Sequence, residues 1–140
     1  MSYINVGIEP SQLTDEMLLD EHRRIKNVCA LFKKAMASHI EPVIPDNDND
    51  IMFFLDKGFY TEKRYIALHT ECIKRGFNVL DYSDRWNIYL GTDYYDDYIP
   101  KHKKNISKQL NNMWDNYNYQ GQYPFHYYGE RITLVEALNL

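Results

Sequence analysis

The chain has 140 residues, a hydrophobic fraction of 44% and a formal net charge of −4 with a pI near 5.7. This length and apolar content suit a single folded domain over residues 1–140 and exclude a disordered chain. No run approaches the roughly 18 apolar residues of a membrane span, so no membrane partner is expected. The acidic balance argues against a general nucleic-acid binder, whose surface is usually basic.

The N-terminus lacks the basic start and apolar centre of a signal peptide, which predicts a cytoplasmic protein, or one in the host cytoplasm if the source is viral. Cys29 and Cys72 fall on helical apolar stripes and are expected to be reduced, buried thiols. The cysteines and the five histidines show no metal-ligand spacing, and there is no glycine-rich phosphate loop. The sequence therefore predicts no metal site and no cofactor.

The first predicted helix covers about residues 14–38, and either Ser11 or Thr14 is suited to cap it. Its apolar stripe consists of Leu18, Ile25, Val28, Cys29, Phe32 and Met36. Residues 41–50 are rich in Pro, Asn and Asp, which predicts a loop.

The second predicted helix covers about residues 60–75. Its apolar stripe consists of Tyr65, Leu68, His69, Cys72 and Ile73. Lys74 and Arg75 suit the negative end of the helix dipole, and Gly76 follows where the chain needs a positive φ.

Residues 81–98 are aromatic, acidic and irregular, and Pro100 then favours the start of a third helix over about residues 100–116. Residues 117–128 are rich in tyrosine without a clear period, which predicts an ordered coil lying on the helices. A short terminal helix is expected after Thr133. Together these elements predict an all-α fold, a compact three-helix domain with long aromatic loops and a coil C-terminal segment.

Charge is unevenly spread along the chain. A basic cluster at the predicted start of the third helix consists of Lys101, His102, Lys103, Lys104 and Lys108. Two acidic loops surround Asp48 and Asp96. A local basic surface is suited to an anionic ligand even on an acidic protein.

Several separate sequence blocks occur together in one order. The strongest are FFLDK at residues 53–57, ECIKRGFNV at 71–79 and DYIP at 97–100, with weaker blocks at 4–5, 18–23 and 127–129. In these blocks the chain resembles the pyrimidine-dimer DNA glycosylase family of T-even phages and their relatives, also called endonuclease V. The resemblance covers roughly residues 2–131 and leaves 132–140 as an added tail.

The resemblance implies a three-helix fold whose N-terminal segment runs between the helices. It also implies excision of one base of a cyclobutane dimer, followed by strand cleavage through β-elimination. The family's nucleophile is the α-amine of the second residue, which is Ser2 here. Such an amine, with a pKa of about 8, is partly neutral at physiological pH and can form a Schiff base with the sugar.

The chain departs from the family at the glutamate that follows an arginine on the first helix. The match places Arg23 on the arginine and Arg24 on the glutamate. A guanidinium cannot act as a general base at neutral pH and repels a cationic sugar intermediate. Glu21 and Asp20, one helical turn earlier, are the candidate replacement carboxylates.

The favoured hypothesis is therefore a catalytically degenerate relative that binds a nucleotide-like anion or nucleic acid in the former active-site pocket, as a phage counter-defence or DNA-metabolism protein. The candidate ligand-binding residues are Arg23, Arg24, Lys26, Lys101, Lys103, Lys104, Tyr127 and Tyr128. The aromatic residues Trp114, Tyr123 and Phe125 are further candidates for stacking on bases. One alternative is an active DNA glycosylase and lyase that uses Ser2 and Glu21. Another is a protein-binding module whose tail, residues 133–140, docks on a second copy or on a protein partner.

Overall fold

The computed structural model describes residues 2–119, 121 and 124–140, and this part of the chain is mostly helical. Its α-helices are α1 (Asp15–Arg24), α2 (Asn27–Ala37), α3 (Gly58–Lys74), α4 (Ser107–Tyr119) and α5 (Leu134–Leu138). Three short 3₁₀ helices span Pro10–Gln12, Ile51–Phe54 and Ser83–Tyr89. Two-residue strands, β1 (His126–Tyr127) and β2 (Glu130–Arg131), pair antiparallel. None of the described helices is long and apolar enough to cross a membrane.

The first predicted helix is in fact two helices, because the hydrogen-bond ladder tightens at Ile25 and Lys26. The amides of Val28 and Cys29 bond to carbonyls three residues back, at 3.1 and 3.0 Å, instead of four. The Lys26 ammonium donates a hydrogen bond to the carbonyl oxygen of Arg23. The predicted stripe nevertheless faces the core on both helices, since Leu18, Ile25, Val28, Cys29 and Phe32 are buried.

The second predicted helix is confirmed as α3 within two residues at its start and one at its end. It closes as predicted, with Gly76 at φ +83°. The amide of Phe77 bonds to the carbonyl of Cys72 at 3.0 Å, and the amide of Gly76 bonds to that of Ile73 at 2.9 Å, which together form a Schellman motif. Ile73 is the exception to the predicted stripe, because it is 55% exposed.

The third predicted helix begins later than Pro100, at Ser107. The residues before it are not helical and are held against the N-terminal segment, because the amide of Lys104 donates to the carbonyl of Val6 at 2.7 Å. The side chain of Asn105 then accepts from the amide of Ser107 at 3.0 Å, which favours helix initiation there. The basic cluster therefore lies mostly before the helix, on a non-helical segment that contacts the N-terminal residues.

The coil predicted for residues 117–128 is wrong in two places. Helix α4 continues to Tyr119, and residues 126–131 form the β1–β2 hairpin, with Tyr128 and Gly129 at positive φ in its turn. The terminal helix after Thr133 is confirmed as α5, where Thr133 and Glu136 form a capping box.

The main core lies between α1, α2, α3 and the 3₁₀ segment Ser83–Tyr89, and the N-terminal residues Ile4 and Val6 are buried in it. A second apolar cluster joins α4, α5 and Phe125. Cys29 and Cys72 are free and buried, as predicted, and burial raises their pKa values to about 12 and about 11. These thiols are therefore protonated and unreactive at neutral pH.

Candidate functional site

A cavity of about 840 Å³ opens between the N-terminal segment, α1 and α4. Its walls are formed by Ser2, Tyr3, Asn5, Glu16, Met17, Asp20, Arg24, Lys104, Gln109, Asn112, Met113, Tyr117 and Pro124. Three of the predicted site residues, Ser2, Arg24 and Lys104, thus meet in one place although the sequence separates them by up to 102 positions. A volume of this size is typical of a small-molecule site.

Two hydrogen bonds to the backbone hold Ser2 at the cavity. Its backbone nitrogen donates to the carbonyl of Asn49 at 2.7 Å, and its hydroxyl accepts from the amide of Ile4 at 3.1 Å. The residue is only 1% exposed. Met1, whose removal would free an α-amine on Ser2, lies outside the described residues.

Arg24 presents its guanidinium at the cavity wall. Its Nη1 contacts Asp20 Oδ2 at 3.3 Å, and its Cζ lies 4.4 Å from the ring centroid of Tyr3. The Arg24 side chain is 42% exposed, so these contacts orient the guanidinium without burying it. This arrangement leaves a planar cation accessible to a ligand in the cavity.

Lys104 is far from Arg24 in the sequence but borders the same cavity. Its backbone is fixed to Val6, and its ammonium donates to the carbonyl of Ser2. Burial lowers the pKa of Lys104, and the Arg24 guanidinium lowers it further, against the opposing carboxylates of Glu21 and Asp48.

Glu21, the candidate replacement carboxylate, does not line the cavity. It is fully buried and forms a two-pronged ion pair with Arg64, whose Nε and Nη2 lie 2.8 and 2.9 Å from its two oxygens. Asn5 donates to the same carboxylate at 2.8 Å. Burial alone would lower the pKa of Arg64, but the Glu21 carboxylate outweighs it and raises that pKa. Both oxygens of Glu21 are thus committed to a structural contact.

Two other carboxylates do line the cavity. Asp20 contacts Arg23 at 2.8 Å and Arg24 at 3.3 Å. Glu16 accepts from the backbone nitrogen of His126 and contacts its Nδ1, both at 2.8 Å, which ties the hairpin to α1. Nothing in the sequence singled out Glu16, because its partner lies 110 residues away.

Four of the predicted ligand-binding cations lie elsewhere. Arg23 is exposed, and Lys26 sits over the Tyr82 ring at 4.2 Å, away from the cavity. Lys101 and Lys103 are exposed, and Lys103 borders a smaller groove of about 190 Å³ beside the C-terminal tail.

The predicted aromatic platform is also not at the cavity. Tyr127 and Tyr128 stack on the guanidinium of Arg75 at 4.6 and 4.9 Å, and Tyr128 donates to Glu71 at 2.9 Å. Arg75 in turn pairs with Glu71 and Asp15, so this group joins the hairpin to α1 and α3. Trp114 and Phe125 stack on each other at 6.1 Å, while Tyr123 lies outside the described residues.

Sequence reasoning missed the polar wall that α4 supplies. It consists of Gln109, Asn112, Met113 and Tyr117. Their spacing places them on one helical face, and amide side chains on such a face offer both hydrogen-bond donors and acceptors. The third predicted helix also carries an apolar stripe through Ile106, Leu110 and Trp114, and that stripe is the stronger sequence signal.

No group of three or more His, Cys, Asp or Glu side chains in the described part of the chain is arranged to hold a metal ion. A scan of the chain against protein-family models found no match.

Proposed function

We propose that this chain is a catalytically degenerate relative of the pyrimidine-dimer DNA glycosylases, and that it binds a nucleotide-like anion or a short stretch of nucleic acid in the cavity between α1 and α4. The observation that carries the proposal is the position of Arg24, which borders the same cavity as Ser2 and Lys104. A phage protein of this kind would act in counter-defence or in DNA metabolism.

The chemistry of the walls supports a ligand with both an anionic and a base-like part. Arg24 and Lys104 are suited to a phosphate, and Arg24 can donate in the forked geometry that phosphate oxygens accept. Asn112 offers an amide for the edge of a base, and Tyr117 offers an aromatic face.

The two carboxylates on the cavity wall, Glu16 and Asp20, are compatible with an anionic ligand because both are engaged with other side chains. Glu16 is engaged with His126, and Asp20 is shared between Arg23 and Arg24. Both carboxylates are therefore engaged in contacts within the protein, and the Asp20 charge is paired with two arginines.

The proposal also requires the family's three-helix core. In it, α1 and α2 together correspond to the first family helix, α3 to the second and α4 to the third. The buried N-terminal residues Ile4 and Val6, which run beside α1 and α3, support this correspondence.

Isothermal titration calorimetry tests the proposal directly. The purified chain is titrated with deoxymononucleotides, cyclic mononucleotides, dinucleotides and short single-stranded DNA. Saturable binding of at least one of them with one site per chain is expected. Absence of binding across the whole panel would refute the proposal.

An active glycosylase is the second candidate, favoured by the presence of Ser2 and Asp20 in one cavity. Here Asp20, rather than the buried Glu21, would serve as the acid. Borohydride trapping on DNA with a cyclobutane dimer or an abasic site separates the two functions, because only the enzyme gives a covalent adduct. Mass spectrometry of the mature N-terminus adds a simple check, since retained Met1 leaves no α-amine on Ser2.

A further inference from the structure

The aromatic ring of Tyr3 lies beside the guanidinium that carries the proposed anion site. The ring centroid is 4.4 Å from Cζ of Arg24, and both residues line the cavity. At this distance the negative face of an aromatic ring attracts a guanidinium. Tyr3 is thus a second restraint on the Arg24 side chain, besides Asp20.

The contact with Asp20 alone is a weak restraint. Nη1 of Arg24 lies 3.3 Å from Asp20 Oδ2, and the two side chains are 42% and 44% exposed. The same carboxylate also contacts Arg23, at 2.8 Å. Because exposed ion pairs of this kind contribute little, they do not fix a long side chain in one orientation. The ring of Tyr3 supplies the flat surface on which a planar guanidinium can stack.

The position of the ring is itself fixed by its neighbours in the chain. Ser2, before it, donates its backbone nitrogen to the carbonyl of Asn49 at 2.7 Å. Ile4, after it, is fully buried in the main core, and Tyr3 packs against the same core. A ring on an anchored segment preorganises the cation that it contacts, so less entropy is lost when a ligand binds.

The hydroxyl of Tyr3 does not explain why a tyrosine lies here. It is buried and has no hydrogen-bond partner in the part of the chain that the structure describes. Since a buried polar atom without a partner destabilises a fold, the ring is the useful part of this side chain. Burial also raises the pKa of Tyr3 to about 12, against the opposing effect of Arg24. The phenol is therefore neutral and adds no negative charge beside the guanidinium.

We infer that Tyr3 is a positioning residue, whose ring holds the Arg24 guanidinium in the orientation in which the cavity binds a phosphate group. The chemical class of ligand is a phosphate compound, whose oxygens accept hydrogen bonds from the guanidinium. The inference rests on the proposed function only in placing an anion site at Arg24.

The test uses inorganic phosphate as the probe and follows the backbone amide resonances of the cavity wall by NMR. Phosphate should shift these resonances in a saturable way in the wild type. Tyr3→Leu should weaken the phosphate affinity by about three- to tenfold, the ratio expected for the loss of one cation–π contact. Tyr3→Phe, which keeps the ring and removes only the unpaired hydroxyl, should retain the wild-type affinity.

Tyr82→Leu is the matched control. Lys26 Nζ lies 4.2 Å from the Tyr82 ring centroid, but neither residue lines the cavity, so this variant should bind phosphate as the wild type does. A double variant separates positioning from a general loss of structure. In Arg24→Gln, the additional Tyr3→Leu change should not weaken the remaining phosphate binding further. Circular dichroism of each variant verifies that the fold is retained.

Three results would overturn the inference: wild-type affinity in Tyr3→Leu, an equal loss in Tyr3→Phe or Tyr82→Leu, or no phosphate binding by the wild type. The outcome is distinguishable from that of the proposed function. If nucleotides bind in calorimetry but phosphate affinity does not depend on Tyr3, this inference alone fails. If phosphate affinity depends on Tyr3 but no nucleotide binds, the proposed function alone fails.

Discussion

At the scale of single residues, the arrangement of neighbouring side chains on α1 explains how the carboxylates are used. Asp20 and Arg24 face the cavity, while Glu21 points into the core and meets Arg64. A helical turn thus carries a cavity-facing cation and a structural anion only three residues apart. The geometry explains why Glu21 is a poor substitute for a catalytic glutamate: its removal from Arg64 would leave two buried charges unpaired.

The Glu21–Arg64 pair leads to a stability prediction. Glu21→Gln keeps the shape of the side chain but leaves the buried guanidinium without its counter-ion, so the free energy of unfolding should fall by about 3–5 kcal/mol. Asp20→Asn, which affects half-exposed pairs, should cost less than about 1 kcal/mol. Urea denaturation of both variants checks this. Equal losses would show that Glu21 is not structurally engaged.

His22 gives a pH prediction. Burial, assisted by the neighbouring His69 and Lys26 and opposed by Asp81, lowers the pKa of His22 to about 4. Since the unfolded histidine has a pKa of about 6.5, the unfolded chain binds more protons between these values. Stability from this residue is therefore present above about pH 6.5 and is lost as the pH falls toward 4, by about 3 kcal/mol.

The measurement is the urea midpoint between about pH 7 and pH 4.5 in the wild type and in His22→Phe, where the pH dependence should become shallower. His39→Asn is the control, because His39 is exposed and its φ of +56° is one that asparagine tolerates. A His22→Phe curve parallel to that of the wild type would contradict the prediction.

At the scale of elements, the site depends on a close contact between the N-terminal segment and residues 102–104. Gly7 lies at φ +74°, and a Cβ there would sit 2.6 Å from the carbonyl oxygen of His102 and 3.0 Å from Cα of Lys103. The absence of a side chain at Gly7 lets the two segments meet, and their contact carries Lys104 to the cavity.

Gly7→Ala should therefore lower both stability and ligand affinity. Gly91→Ala is a matched control, because Gly91 has the same φ of +74° and no atom within 4 Å of the added Cβ. We expect Gly7→Ala to cost about 1–3 kcal/mol more than Gly91→Ala in thermal or urea unfolding. Only Gly7→Ala should weaken nucleotide binding in calorimetry. Matching behaviour of the two variants would mean that the close contact does not position Lys104.

The features that could be predicted from the sequence are those that depend on residues close together in the chain. The end of α3 at Gly76 and the start of α5 after Thr133 depend on local patterns, and both were predicted from adjacent residues. The late start of α4 was not predicted, because it depends on the hydrogen bond from the amide of Lys104 to the carbonyl of Val6, which is distant in sequence. Lys104 was a candidate through its charge alone, and the use of Tyr127 and Tyr128 to hold Arg75 depends on contacts across more than 50 residues.

At the scale of the whole molecule, the net charge of −4 and the concave site point to the same class of ligand. Long nucleic acids bind through many phosphate contacts spread over a basic surface, and affinity then falls steeply with salt. Here Arg24 and Lys104 are the cations that line the cavity, within the part of the chain that the structure describes. A short ligand suits this distribution better than an extended duplex.

Salt dependence tests this point. The affinity for a short single-stranded oligonucleotide should fall with a slope of about −0.7 to −1.4 in a plot of log K against log salt, as expected for one or two phosphate contacts on a single strand. Extending the oligonucleotide should change the slope little. A slope that steepens with length would indicate an extended basic surface and would contradict the cavity as the site.

The central claim is that Arg24 has turned a site of this shape toward anion binding. The most direct measurement is calorimetry with the best-bound nucleotide on the wild type, Arg24→Gln and Arg23→Gln, since both arginines contact Asp20 but only Arg24 borders the cavity. We predict that Arg24→Gln weakens binding by about tenfold or more, while Arg23→Gln stays within about twofold. Unchanged affinity in Arg24→Gln, or an equal loss in both variants, would contradict the account.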